Sequence, residues 1–153
     1  MIRLLKVFLA LGMIGSFAFR AQTVQSSEVV FQPAFQQKAL NEFRGVKLGM
    51  KRDDVRKAMG TPESTSEDSD DFKLTGDDTM TIRYNNGEVK AIQLAFLDAK
   101  NAPAWKDVVG DADINEMANG AKTARKVIEA EKYWVSIYQS KDGATTRITI
   151  SRN

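Results

Sequence analysis

Among the chain's 20 acidic residues, Glu67, Asp68, Asp70 and Asp71 form one cluster, with Asp77 and Asp78 close behind. As a paired general acid and base, two of them would need a carboxyl pKa raised by burial in apolar surroundings. Their neighbours in sequence are Ser, Thr, Gly and Lys. As a calcium loop they would need alternating acids, a glycine at the turn and a later Glu. Glu67-Asp68-Ser69-Asp70-Asp71-Phe72 has neither that spacing nor the glycine. A solvated loop is the expected reading, ahead of weak divalent-cation binding and of catalysis. The chain has no histidine and no cysteine. That removes the usual neutral-pH base, thiolate nucleophiles, zinc-thiolate sites and any serine triad built on histidine. Only carboxylate chemistry or a Ser-Lys pair remains, so no catalytic residue, metal site or cofactor is expected.

The aromatic side chains are the second candidate group. Trp105, Tyr133, Trp134 and Tyr138 either pack in the core or form a partner surface, since exposed aromatics mark contact sites. If Tyr133 and Trp134 share a strand they point to opposite faces, and one of them is displayed or lies under a helix.

The elements that would position these groups are well punctuated in places. In Gly45-Val46-Lys47-Leu48-Gly49-Met50-Lys51-Arg52-Asp53-Asp54-Val55-Arg56-Lys57-Ala58-Met59-Gly60-Thr61-Pro62, Val55, Ala58 and Met59 make one helical stripe. Asp53 and Asp54 suit its first turn and Arg56 and Lys57 its end, while Gly60 and Pro62 stop it. An earlier helix is expected from Pro33 to Phe43. Residues 63–71 read as a loop or exposed edge strand. Residues 72–74, 80–84 and 89–96 read as strands, the last two joined by Asn85-Asn86-Gly87, a strong hairpin signal. The second half echoes this: residues 110–120 resemble 49–60, residues 134–138 resemble 80–84, and the strand containing Ile148 and Ile150 follows Gly143. Residues 121–132 have helical composition, whereas the echo would make 127–138 strand; strand is expected from Lys132 onward. The fold expected is α+β, with short helices packed on one face of an antiparallel β-meander. It is built either as two tandem helix-plus-hairpin repeats, 45–98 and 105–153, or as unrelated elements of one 45–153 domain after an N-terminal segment, 22–44.

Residues 1–21 have the layout of a secretory signal. Arg3 and Lys6 precede an apolar run over residues 7–19, which as a helix would span about 20 Å against a hydrocarbon core of roughly 30 Å. A cleavable signal is expected, cut after Ala18 or Ala21, with no stable transmembrane segment left afterwards. Loss of Arg3, Lys6 and Arg20 takes the formal charge from +2 to −1, or to 0 if Arg20 stays. A near-neutral domain has no global field for phosphate backbones, so no nucleic-acid partner is expected.

Gly-x-x-x-Gly-Met, a helix containing Asp-Asp-Val, then Met-Gly-Thr-Pro and a hairpin resemble the BamE/SmpA/OmlA family of small outer-membrane proteins and the related β-lactamase inhibitor protein fold. The resemblance covers residues 45–96 and is best over 48–62. This chain differs in lacking a lipid-anchor cysteine, in Lys51 where the family has a capping Thr or Ser, and in Thr81-Ile82-Arg83-Tyr84 where the family has a Trp-Tyr strand. The resemblance implies a two-helix, antiparallel-sheet domain. The functional expectation is a non-enzymatic protein-interaction module of the cell envelope, periplasmic or secreted, with a protein partner. The alternative is a secreted inhibitor of a hydrolase.

Overall fold

A computed structural model of the chain describes residues 39–153. The expected export signal and residues 33–38 of the expected first helix lie outside that range. Residues 39–43 are not helical. Glu42–Phe43 (β1) instead pairs with Val46–Lys47 (β2) across a turn in which Arg44 and Gly45 both have positive φ. That backbone cannot propagate a right-handed helix. Phe43 is turned inward, its ring edge-on to Phe96 at 6.2 Å.

The stretch from Gly49 leads into helix α1, Arg52–Met59. It is held to the later hairpin by Gly49 N–H to Val89 O (2.8 Å), Val89 N–H to Met50 O (2.9 Å) and Arg52 N–H to Gly87 O (3.0 Å). The helix begins and ends where its charges and Gly60 place it: Gly60 has φ 85° and its N–H closes on Arg56 O. Lys51, at the N-cap, provides no side-chain hydrogen bond. Val55 is its fully buried residue.

Beyond α1 the chain is dominated by strands: β3 (Ser64–Thr65), β4 (Ser69–Lys73), β5 (Thr79–Asn85) and β6 (Glu88–Phe96), then β7 (Asn115–Glu116), β8 (Lys122–Ile128), β9 (Tyr133–Gln139) and β10 (Thr146–Arg152). A five-residue helix α2, Trp105–Val109, precedes the second set. All eight strands form one antiparallel sheet in the order β3-β4-β5-β6-β10-β9-β8-β7. Each half is therefore a meander, and the last strand of one pairs with the last strand of the other. Both edges are two-residue strands, a device that leaves little unpaired backbone for another chain to extend.

This architecture overturns the expected α+β class. Strand makes up 44% of the described residues and helix 17%, and α1 is the one helix of seven residues or more. Two differences produce the change. Residues 122–128, helical in composition, pair along their whole length with β9, so tertiary pairing outweighs a modest propensity. The expected helix after Gly110 is absent, because Gly110 ends α2 with φ 64° and its N–H on Lys106 O. Gly110 thus stands in the role of Gly60, not of Gly49.

Val55 and Met59 of α1, Val108 and Val109 of α2, and residues of 39–50 and 102–112 cover the inner sheet face as a patchwork. Alternation selects that face. Met80, Ile82 and Tyr84 oppose Leu94, Ile92 and Val89, and Ile148 and Ile150 lie between Leu94 and Ile92 on one side and Ile137 and Val135 on the other. All of these are buried. A bulge at Arg83/Tyr84 explains how Val89 and Ile92, three apart, share one face.

Ile150 sits where the two meanders meet. Ile150→Ala should cost about 2–5 kcal/mol. The strands flanking the seam should lose protection together in one urea transition, followed by hydrogen exchange across β5 and β9. Separate transitions for the two halves would contradict a shared core.

Candidate functional site

The acidic cluster is dispersed by the fold. Asp70 is fully buried on the inner face of β4, which corrects the expectation of a uniformly solvated loop. Its carboxylate is gripped from four sides. Arg56 donates through Nε to Oδ2 (2.9 Å) and Nη2 to Oδ1 (2.8 Å). Arg52 donates through Nη2 to Oδ1 (2.6 Å) and Nε to Oδ2 (3.3 Å). The hydroxyls of Thr65 and Tyr84 donate at 2.8 and 3.0 Å. Burial pushes the Asp70 carboxyl up, but the hydrogen bonds from Arg56, Arg52, Thr65 and Tyr84 outweigh it and hold the group well below the usual carboxylate range. Burial and the Asp70 contact push the Tyr84 phenol above its usual range. The spacing of Arg52 and Arg56, one helical turn apart, sends both guanidiniums down one face of α1.

Asp78 is the second buried acid, accepting from Leu97 N–H (2.7 Å) and Asn101 Nδ2 (2.8 Å). Burial pushes it up and these bonds bring it below its ordinary value. Asp71 points to the opposite face from Asp70 and accepts from the hydroxyls of Ser64 and Thr81. Among the described residues no three acids converge as a metal would require. These carboxylates act as structural acceptors, each in its own setting.

The four singled-out aromatics divide. Tyr133 is buried on the inner face, its hydroxyl donating to Ala39 O at 3.3 Å. Trp105, the first residue of α2, packs half-buried against the core. Trp134 and Tyr138 point the other way and stay half-buried on the outer face.

The register of that outer face is a grid of three rows. One runs Lys73–Thr79–Ala95–Arg147–Tyr138–Thr123, the next Asp71–Thr81–Gln93–Thr149–Ser136–Arg125, the third Ser69–Arg83–Ala91–Ser151–Trp134–Val127. Small side chains occupy most of the two central strands. Ala91, Ala95, Thr149 and Ser151 lie between Arg83 on one flank and Trp134 and Tyr138 on the other. The result is a trough that includes a depression of about 340 Å³ lined by Thr79, Thr81, Gln93, Ala95, Arg147 and Thr149. The Arg125 guanidinium lies 4.3 Å from the Trp134 ring centroid, fixing the orientation of that wall. No helix of the described residues packs on this face, since the buried residues of α1 and α2 belong to the core on the other side. None is long and apolar enough to cross a membrane.

Sequence reasoning missed Arg83, Gln93, Arg147 and Thr149. The alternation of Arg147, Thr149 and Ser151 with Ile148 and Ile150 shows that they face away from the core. That β10 lies in mid-sheet, beside β6, is a matter of strand order. Comparison with known proteins finds no matching family model, no matching curated protein and no matching solved structure.

Replacing Asp70 with Asn leaves two guanidiniums facing a neutral amide and should cost about 3 kcal/mol or more. The folded carboxyl lies below its ordinary 3.8. Its stabilisation is therefore complete above that value and fades as pH falls through the folded value. Urea melts of wild type and Asp70→Asn should differ by a constant amount from pH 6 to 8 and converge only below about pH 4. A gap that closes instead near neutral pH would contradict the assignment.

Proposed function

We propose that the protein is a non-enzymatic protein-interaction module of the cell envelope, exported to the periplasm or secreted, that docks a partner on the outer sheet face. The observation that carries this reading is the grid around the trough, on which no helix of the described residues packs. An ordinary antiparallel sheet can leave one face to water, but then polar side chains cover it evenly. Here two aromatics and three arginines surround a floor of Ala, Ser, Thr and Gln. Tyr, Trp and Arg are the residues enriched where protein surfaces meet. Six strands at about 4.8 Å spacing span roughly 24 Å, wider than a helix of 10–12 Å or a partner's loop. The short strands at both edges favour docking on the face over strand addition at the rim. Export is supported by the signal-like layout of residues 1–21.

Thr149→Tyr fills the floor of the trough with a residue that strands accept, without touching the core. Affinity capture from an envelope extract should return a partner with wild type, and the yield should fall at least tenfold with Thr149→Tyr at unchanged thermal stability. If the captured protein is a hydrolase that loses activity in the complex, the module acts as an inhibitor. Equal capture by both proteins would remove the face from consideration.

A further inference from the structure

The charges on the outer face point to the chemistry of what docks there. Along the three rows stand four cations, Lys73, Arg83, Arg125 and Arg147, against one carboxylate, Asp71. That carboxylate is already engaged, one oxygen on the Ser64 hydroxyl at 2.7 Å and the other on the Thr81 hydroxyl at 2.5 Å. Arg83 is held loosely: its nearest acid, Asp68, is 4.0 Å away, and Nε reaches Gln93 Oε1 at 3.4 Å. Arg125 spends its planar face on Trp134. Lys73 and Arg147 are exposed and form no ion pair among the described residues. The contrast with Arg52 and Arg56 is direct, since those are consumed by Asp70. A chain of near-zero formal charge after loss of residues 1–21 thus concentrates positive charge on the sheet face against which no helix of the described residues packs.

We infer that the partner is a protein whose contact surface is acidic, presenting Asp or Glu side chains to Arg147 in the trough and to Arg83 on its flank. This rests on the outer face being the docking surface. The spacing of the cations argues for a protein. Lys73 and Arg147 share a row three strand steps apart, about 14 Å, and Arg147 and Arg125 lie two steps and one row apart, about 12 Å. Thr, Ala, Gln, Ser and the aromatics stand between them. A nucleic acid, whose charges follow one another closely along the chain, is matched by cations lined up in clusters. Singly placed arginines in a polar and aromatic field suit individual carboxylates, each able to accept a guanidinium in two parallel bonds. A second copy docking by the same face would set Arg147 and Arg83 against like charge. The chain's own residues 22–38 contain one acid, Glu28, too few to answer four cations.

The test uses poly-L-glutamate of about 50 residues as probe and the amide and indole spectra of the nitrogen-15-labelled protein as readout. Poly-L-glutamate should shift the Trp134 indole N–H and the amides of β6 and β10, leaving the Trp105 indole unmoved. The half-saturating concentration should rise at least tenfold in Arg83→Glu/Arg147→Glu, and about threefold in Arg147→Gln, which keeps size and polarity if the double variant folds poorly. Shifts confined to the cations away from this face, Lys47 and Lys51, would overturn the proposal. So would polyphosphate binding the same residues more tightly than poly-L-glutamate. Capture from envelope extract separates the two readings. Loss with Thr149→Tyr but not with Arg83→Glu/Arg147→Glu would keep the docking face and discard the acidic partner. Capture unaffected by either variant would discard both.

Discussion

Six antiparallel pairs between β6 and β10, from Thr146↔Phe96 to Ser151↔Ala91, join strands that close the two halves of the chain. Ile92, Leu94, Ile148 and Ile150 are buried on one side of this seam, where they form the centre of the core. On the other side Ala91, Ala95, Thr149 and Ser151 are among the smallest side chains of the outer grid. One pairing therefore supplies both the best-packed part of the molecule and the floor of its trough. Strand alternation makes the two inseparable, because a slip of one residue would exchange the faces and expose four isoleucine and leucine side chains.

Electrostatics divides the arginines into two kinds by the same geometry. Arg52 and Arg56 project from α1 onto a carboxylate with no exposure to water, and the low-dielectric surroundings make that contact strong and its loss expensive. The grip also reaches β3 through Thr65 and β5 through Tyr84, so the edge of the sheet and the helix are fixed together. Arg83 and Arg147 stand on the other side, facing solvent. They contribute little to stability there and remain available for contact.

Much of the first half was legible in its residues. Val55 and Met59 of the α1 stripe, its charged ends, Gly60 and the Asn86-Gly87 turn are local signals, each decided within a few residues, whereas Ala58, expected on the same stripe, is exposed. Both Asn86 and Gly87 adopt the positive φ that the hairpin needs. The opposite orientations of Tyr133 and Trp134 also follow from strand alternation. The acidic run was misjudged because burial of Asp70 is arranged by Arg52 and Arg56, 18 and 14 residues away. Composition sees Ser, Thr and Asp together and registers polarity, not the partners that permit burial. The helical composition of 121–132 left helix and strand both open there for a related reason. Its alternation is weak, and the pairing with β9 that makes 122–128 a strand is a tertiary event.

Local structure and chemical exclusions were thus within reach of the sequence. With neither histidine nor cysteine the available chemistry narrows, and short-range steric and charge preferences place α1, its stop and the hairpins. Strand order, the balance of sheet over helix, the burial of Asp70 and which sheet face the helices of the described residues cover were settled by tertiary structure. Each depends on which distant segments meet, and that choice is made by the summed burial of apolar area across the β6–β10 seam, which no local window of residues contains.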